Sequence, residues 1–140
     1  MKKLLFVIIV LLCTSCNKTK NTTDTSKYDY PKDVTIKWDD IFSLESDNYL
    51  VYFYSLTCSH CRDLKQEILT FYYERQPLMY FVNTNDKGVF GKTKDLRGID
   101  SVDDFYIFGT PFLIRIKEYK VSDYYPGVTS IREYIHSYSI

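Results

Sequence analysis

The sequence has no excess of charge of either sign: 18 basic and 18 acidic residues balance over 140 positions. Nucleic-acid binding normally shows a strong positive patch, and the lysines here are scattered, so no nucleic-acid partner is expected. Membrane-length apolar runs are also lacking. The run Leu4 to Leu12 has nine residues, well short of the roughly 20 that cross a bilayer as a helix. Histidine is scarce, at two residues, and cysteine numbers four. A structural zinc site wants four ligands; beside Cys58 and Cys61 only His60 and His136 could join, and His60 lies awkwardly between the two thiols in sequence. No metal or other cofactor is expected. Internal repeats are absent too, which leaves one domain as the simplest reading.

The N-terminus is organised differently from the rest. Lys2 and Lys3 precede the apolar run, and the small-residue stretch Cys13-Thr14-Ser15-Cys16 follows it, the layout of a secretory signal. The residues around Cys16 resemble a bacterial lipoprotein signal, in which cleavage just before a Cys leaves that residue to carry a diacylglyceryl thioether. Cys13 stands where that pattern prefers Leu, and ordinary cleavage or an uncleaved anchor are the alternatives. The resemblance implies residues 1–16 as signal peptide, Cys16 as the lipidated residue in contact with membrane lipid, and an exported, extracytoplasmic chain anchored to a bacterial membrane. Cleavage would remove two basic groups and leave a slight negative excess. The next stretch, NKTKNTTDTSKYDYPKD, is polar and Thr-rich without aliphatic residues. It cannot bury enough apolar surface to fold by itself, so residues 17–33 read as a flexible tether and residues 34–140 as the domain, a usual size for one.

Within that domain only two cysteines remain, three positions apart, in Cys58-Ser59-His60-Cys61. In an oxidising compartment such a pair can form a disulfide. A purely structural bridge is a weak explanation, because the stabilisation from cross-linking grows with the loop it closes. The local pattern suggests chemistry instead. Tyr49 to Tyr54 is a nearly continuous apolar and aromatic run of strand length, as expected of a central strand covered on both faces. Beyond the cysteines Leu64, Ile68, Phe71 and Tyr72 recur at helical spacing and Pro77 marks a stop, so Ser59 to Gln76 reads as an amphipathic helix. Cys58 then sits at a helix N-terminus, where unpaired N–H groups and the helix dipole favour an anion and Cys-X-X-Cys thiols become acidic. Cys58 is the candidate attacking thiol, and Cys61, one turn along the same face, the candidate resolving thiol.

Further along, Leu78 to Val82 reads as a second buried strand, followed by a polar stretch from Asn83 and a short Asp-rich helical piece through Asp104. Phe108-Gly109-Thr110-Pro111 comes next, then the strands Phe112 to Ile116 and Lys120 to Tyr125, a turn at Pro126-Gly127, and a last helix. That helix carries a capping-box candidate from Ser130 to Glu133, with Ile131, Tyr134, Ile135 and Tyr138 on one face. The 14 Tyr and 9 Phe read as core and sheet-face packing.

Taken together, the Cys-X-X-Cys opening a helix after a buried strand, and Gly109-Thr110-Pro111 leading into a hairpin and terminal helix, resemble the thioredoxin superfamily over nearly all of residues 34–140. The resemblance implies an α/β thioredoxin-like three-layer fold, with a central mixed sheet of about four to five strands flanked by helices. It further implies thiol-disulfide oxidoreductase activity at Cys58 and Cys61, and a cis Pro111 against the active-site sulfurs. An X-Pro bond is cis in only roughly 5–6% of cases, so the cis assignment rests on the resemblance alone; a rigid loop leading into an edge strand is the plain alternative. The backbone of Thr110 is expected to pair with substrate peptide. The implied partners are exported cysteine-containing proteins and a membrane or soluble redox protein that recycles the pair.

The departures from the family are specific. Thr57 stands where reductases usually carry Trp, Ser59-His60 replaces Gly-Pro, and Tyr52 occupies the place of a buried acid, so the usual proton acceptor is missing; Glu67, Asp63 and water are the candidates to replace it. His60 before the second Cys resembles exported disulfide-forming oxidases. Protonated, it could favour the Cys58 thiolate; the plain alternative is an exposed polar residue. His136 reads as a surface histidine. Ser-His suggests oxidation, whereas Thr110 and the small domain suggest reduction or isomerisation, and the direction stays open. The rival to an enzyme is a lipid-tethered accessory module that keeps the fold only to bind a partner in an export or maturation system.

Overall fold

The computed structural model describes residues 29–92 and 94–138. The expected signal peptide, the lipidation site Cys16 and most of the tether lie outside the described residues. Six main elements follow one another: β1 (Asn48–Tyr54), α1 (Ser59–Arg75), β2 (Met79–Asn83), β3 (Phe112–Lys117), β4 (Lys120–Pro126) and α2 (Gly127–Ser137), with a short 3-10 turn at Trp38–Asp40 before them. The sheet runs β2-β1-β3-β4. The β1–β2 pair is parallel and the other two pairs are antiparallel, so the expected mixed sheet is present with four strands.

Alternation along β1 divides the core in two, because successive strand side chains point to opposite faces. Leu50, Tyr52 and Tyr54 join Met79, Phe81 and Leu113 under α1 and α2. Tyr49, Val51 and Phe53 join Phe112, Ile114 and Ile116 on the other face. That second face is closed by the 3-10 turn, through Trp38 and Ile41, and by the long connection before β3, through Leu96, Phe105 and Ile107. Covering both faces is what the unbroken apolar run in β1 requires. The outer edge of β2 is capped as well: Ile36 N–H donates to Phe81 O at 2.9 Å and Phe81 N–H to Val34 O at 3.0 Å.

Helix α1 buries Cys61, Leu64, Ile68, Leu69 and Phe71, and ends at Gln76 in a left-handed conformation (φ 48°) just before Pro77, a common helix stop. It packs against α2 through Phe71, whose ring lies 6.4 Å from that of Tyr134 and 5.1 Å from that of Tyr138 just past the helix end.

Two expected features are absent. The Asp-rich piece ending at Asp104 is a run of turns, not a helix: the buried side chains of this connection, Leu96, Phe105 and Ile107, flank it and plug the sheet face singly rather than forming a helical stripe. The capping box at Ser130 is also not formed. Pro126 still pairs with Phe112 at the end of β4 and is itself the N-cap of α2, so the helix begins without an intervening loop. Ser130 is one turn inside, its hydroxyl donating back to Pro126 O at 2.5 Å.

Phe53 is fully buried, and its ring lies 5.6 Å from each of Trp38 and Phe105. Truncating it should leave a void that the surrounding rings cannot fill. Phe53→Ala is expected to lose about 3–5 kcal/mol, measured as a lower urea midpoint at an unchanged m-value; a loss under about 1 kcal/mol would show that this face is not part of the cooperative core.

Candidate active site at the start of helix α1

After Tyr54 the chain turns through Ser55, Leu56 and Thr57. The turn is held by Cys58 N–H on Ser55 O at 3.2 Å and by Leu56 N–H on Asn85 Oδ1 at 2.8 Å. It delivers Cys58 as the N-cap of α1, with extended dihedrals (φ −81°, ψ 119°). A helix normally takes an oxygen here, from Ser, Thr, Asp or Asn. In this chain the Cys58 Sγ does that work, accepting from Cys61 N–H at 3.2 Å. The sulfur therefore sits where orphan amides and the positive end of the helix dipole converge.

The cis peptide Thr110–Pro111 closes the site from the far side. Cys58 Sγ, as a thiol, donates to Thr110 O at 3.2 Å. Pro111 is buried and Thr110 half-buried. The Pro111 carbonyl accepts from Gly127 N–H at 2.9 Å, which ties this loop to the start of α2. Cys58, Cys61, Thr110 and Pro111 are thus brought together from two stretches some fifty positions apart.

The two thiols, both free, have opposite acidities. Burial works to raise Cys58, but hydrogen bonds from the Cys61 side chain, the Thr110 side chain and the N–H groups of Cys61 and His60 outweigh it and bring Cys58 below an ordinary thiol. Cys61 is pushed up to about 11, first by burial and then by the hydrogen bond its thiol donates to Cys58. Of the two, the more accessible sulfur is therefore the first to ionise. His60 contributes its backbone N–H, while its side chain is exposed.

Behind Cys61 lie tyrosines. Tyr52 is fully buried and its hydroxyl lacks a hydrogen-bond partner; leaving such a group unpaired costs on the order of 1–3 kcal/mol. Neither Asp63 nor Glu67 fills the place of a buried acid: Asp63 is exposed, and Glu67 accepts from Arg132 at 2.6 Å. Tyr30 is the residue that the sequence reading missed. It falls in the stretch taken as a tether, yet its ring stacks on Tyr54 at 3.7 Å and its hydroxyl rests 3.5 Å from Cys61 O, with the Lys65 ammonium 5.4 Å from the ring centroid. The one available signal was an aromatic followed by Pro31 in an otherwise polar run. His136 is exposed on α2. Among the described residues no group of three His, Cys, Asp or Glu is placed to hold a metal ion.

No family model and no curated sequence matches the chain. Among solved structures, mitochondrial thioredoxin 3 from Saccharomyces cerevisiae, in its oxidised form, is similar with a TM-score of 0.52 at 10% identity, over 75% of this chain and 94% of that one. A structure concerned with thiol resolution in yeast mitochondrial 1-Cys peroxiredoxin via the glutathione/thioredoxin systems is similar with a TM-score of 0.41 at 12% identity, over 67% and 81%. At such identities the likeness to thioredoxin 3 shows the fold: this is a thioredoxin fold.

With Cys13 and Cys16 replaced by Ser, alkylation by iodoacetamide should reveal one thiol whose rate rises through a midpoint below that of an ordinary cysteine, and a second that reacts only as the pH approaches about 11. Two thiols with the same midpoint would contradict the order of ionisation described above.

Proposed function

We propose that this chain is a thiol-disulfide oxidoreductase that exchanges disulfides with exported proteins through Cys58 and Cys61. The observation that carries the proposal is the capping sulfur: Cys58 accepts from the helix while a protonated Cys61 waits one turn along. The thiolate is the species that attacks a disulfide. Cys58 S⁻ bonds to one client sulfur, and the other client sulfur leaves as a thiolate and takes up a proton. Cys61 then loses its proton and attacks Cys58 Sγ, expelling the second client sulfur. The client gains two electrons and the domain is left with a Cys58–Cys61 disulfide; client oxidation runs the same steps in reverse.

Thr110, whose carbonyl lies beside the attacking sulfur, and the buried Pro111 next to it form the edge on which an extended client segment would lie. The donors around Cys58 stabilise the reduced form, which favours the pair as an oxidant. Protonated His60 would strengthen that bias. The extracytoplasmic location, the lipid on Cys16, the recycling partner and the exported clients follow from the signal-like N-terminus and complete the reading.

The decisive experiment uses the serine variants. Cys61→Ser should accumulate mixed disulfides with client proteins, released by added thiol, and Cys58→Ser should form none and lose exchange activity on a model disulfide protein. An absence of trapped adducts, with the redox state of exported proteins unchanged in cells, would indicate a tethered binding module instead. His60→Ala should move the Cys58 alkylation midpoint upward; superimposable profiles would remove the imidazole from the mechanism.

A further inference from the structure

The resolving step poses a problem that the reduced site does not. While Cys58 is an anion, the Cys61 thiol has an acceptor for its proton. Once Cys58 is bonded to a client, that acceptor is gone, and Cys61 must itself become the anion in a pocket where it is 1% exposed. A buried thiolate needs a donor. The Cys61 N–H is already directed at Cys58 Sγ. Glu67 is held in its ion pair with Arg132, Asp63 is exposed, and the Tyr30 hydroxyl rests on the Cys61 carbonyl.

Beside the Ser55 backbone and the Thr110 side chain, which already favour a Cys61 thiolate, one further donor remains unspent. Tyr52 projects from the middle of β1 into the packed cluster that holds Cys61 and Leu64. Its hydroxyl is the buried side-chain polar atom without a partner among the described residues, although it is electrostatically coupled to both sulfurs. The Tyr30 and Tyr52 hydroxyls lie close enough to shift each other's acidity through a hydrogen-bond interaction, but the contact does not reach good hydrogen-bond geometry. Burial drives the Tyr52 phenol strongly upward, so the group stays neutral and keeps a proton to donate.

Resting on the oxidoreductase reading, we propose that Tyr52 is a catalytic residue of the second step, donating its hydroxyl hydrogen bond to the Cys61 thiolate as that thiolate attacks Cys58. The Cys61 proton goes to water at the site mouth. The new bond joins Cys61 Sγ to Cys58 Sγ, the Cys58–client bond breaks, and the client sulfur leaves as a thiolate that takes its proton from solvent. Tyr52 keeps its own proton throughout. The partner missing in the reduced structure is thus supplied by the intermediate.

Stoichiometric 5,5′-dithiobis(2-nitrobenzoate) separates the two steps in the protein whose Cys13 and Cys16 are replaced by Ser. Cys58 attack releases one equivalent of thionitrobenzoate, and Cys61 resolution releases the second. Tyr52→Phe, which keeps the ring, should leave the first phase unchanged and slow the second about ten-fold or more, the rate equivalent of one hydrogen bond to a charged group. The pH midpoint of the second phase should rise, while the unfolding midpoint stays level or rises because a buried unpaired group has been removed. A second phase at the parent rate with a raised unfolding midpoint would overturn the proposal and leave the hydroxyl a packing defect. Equal slowing of both phases would overturn it too, by locating the effect at Cys58. Tyr30→Phe should slow the second phase far less; an equal effect would reassign the donor to Tyr30. A parent protein that releases no first equivalent would instead sink the reading of Cys58 as the nucleophile, and this inference with it.

Discussion

Everything in this site depends on a sulfur standing where a helix usually has an oxygen. By capping α1, Cys58 meets the helix's need for an acceptor with a sulfur, so the start of the helix also makes this thiol the more acidic of the two. That coupling explains why so much of the molecule converges on the end of β1. The strand aims the chain, Asn85 holds the turn, the cis Thr110–Pro111 peptide closes the other side, and the Pro111 carbonyl ties that closure to α2. Loosening any of these would move the sulfur off the amides that stabilise it.

The parts of this arrangement that were legible beforehand have simple periodicities. An unbroken aromatic and aliphatic run has few solutions other than a strand covered on both faces, and the spacing of Leu64, Ile68 and Phe71 leads to a helix whose start falls on Cys58. The remainder had no period to read. Leu96, Phe105 and Ile107 are single plugs pushed into a sheet face from an irregular loop, and an Asp-rich stretch beside them imitated a helix start. Pro126 and Gly127 resembled a turn because nothing local reveals that β4 keeps pairing up to the first residue of α2. Tyr30 was hidden by its polar neighbours, and its place in the structure comes from a partner 24 positions away, Tyr54.

The two thiols also show how one helix turn produces two chemical characters. Cys58 lies at the rim, where donors are plentiful, and Cys61 lies inside, among Tyr52, Leu64 and Ile68, where they are few. In the proposed exchange, that asymmetry would favour capture of a client over its release. Under the same proposal part of the balance would fall to the tyrosines behind Cys61, so that a strand residue on the helix face would bear on the chemistry as well as on packing.

Tyr30 carries a consequence of a mechanical kind. Its ring clamps onto Tyr54, its hydroxyl rests on the backbone of Cys61, and neighbouring Asp29 lies 3.7 Å from the Lys65 ammonium. Tension applied to the chain ahead of residue 29 would therefore reach the fold at the end of β1 and the first turns of α1 together, through Tyr30 and Asp29. Traction from upstream would act as a lever on the second sulfur's backbone.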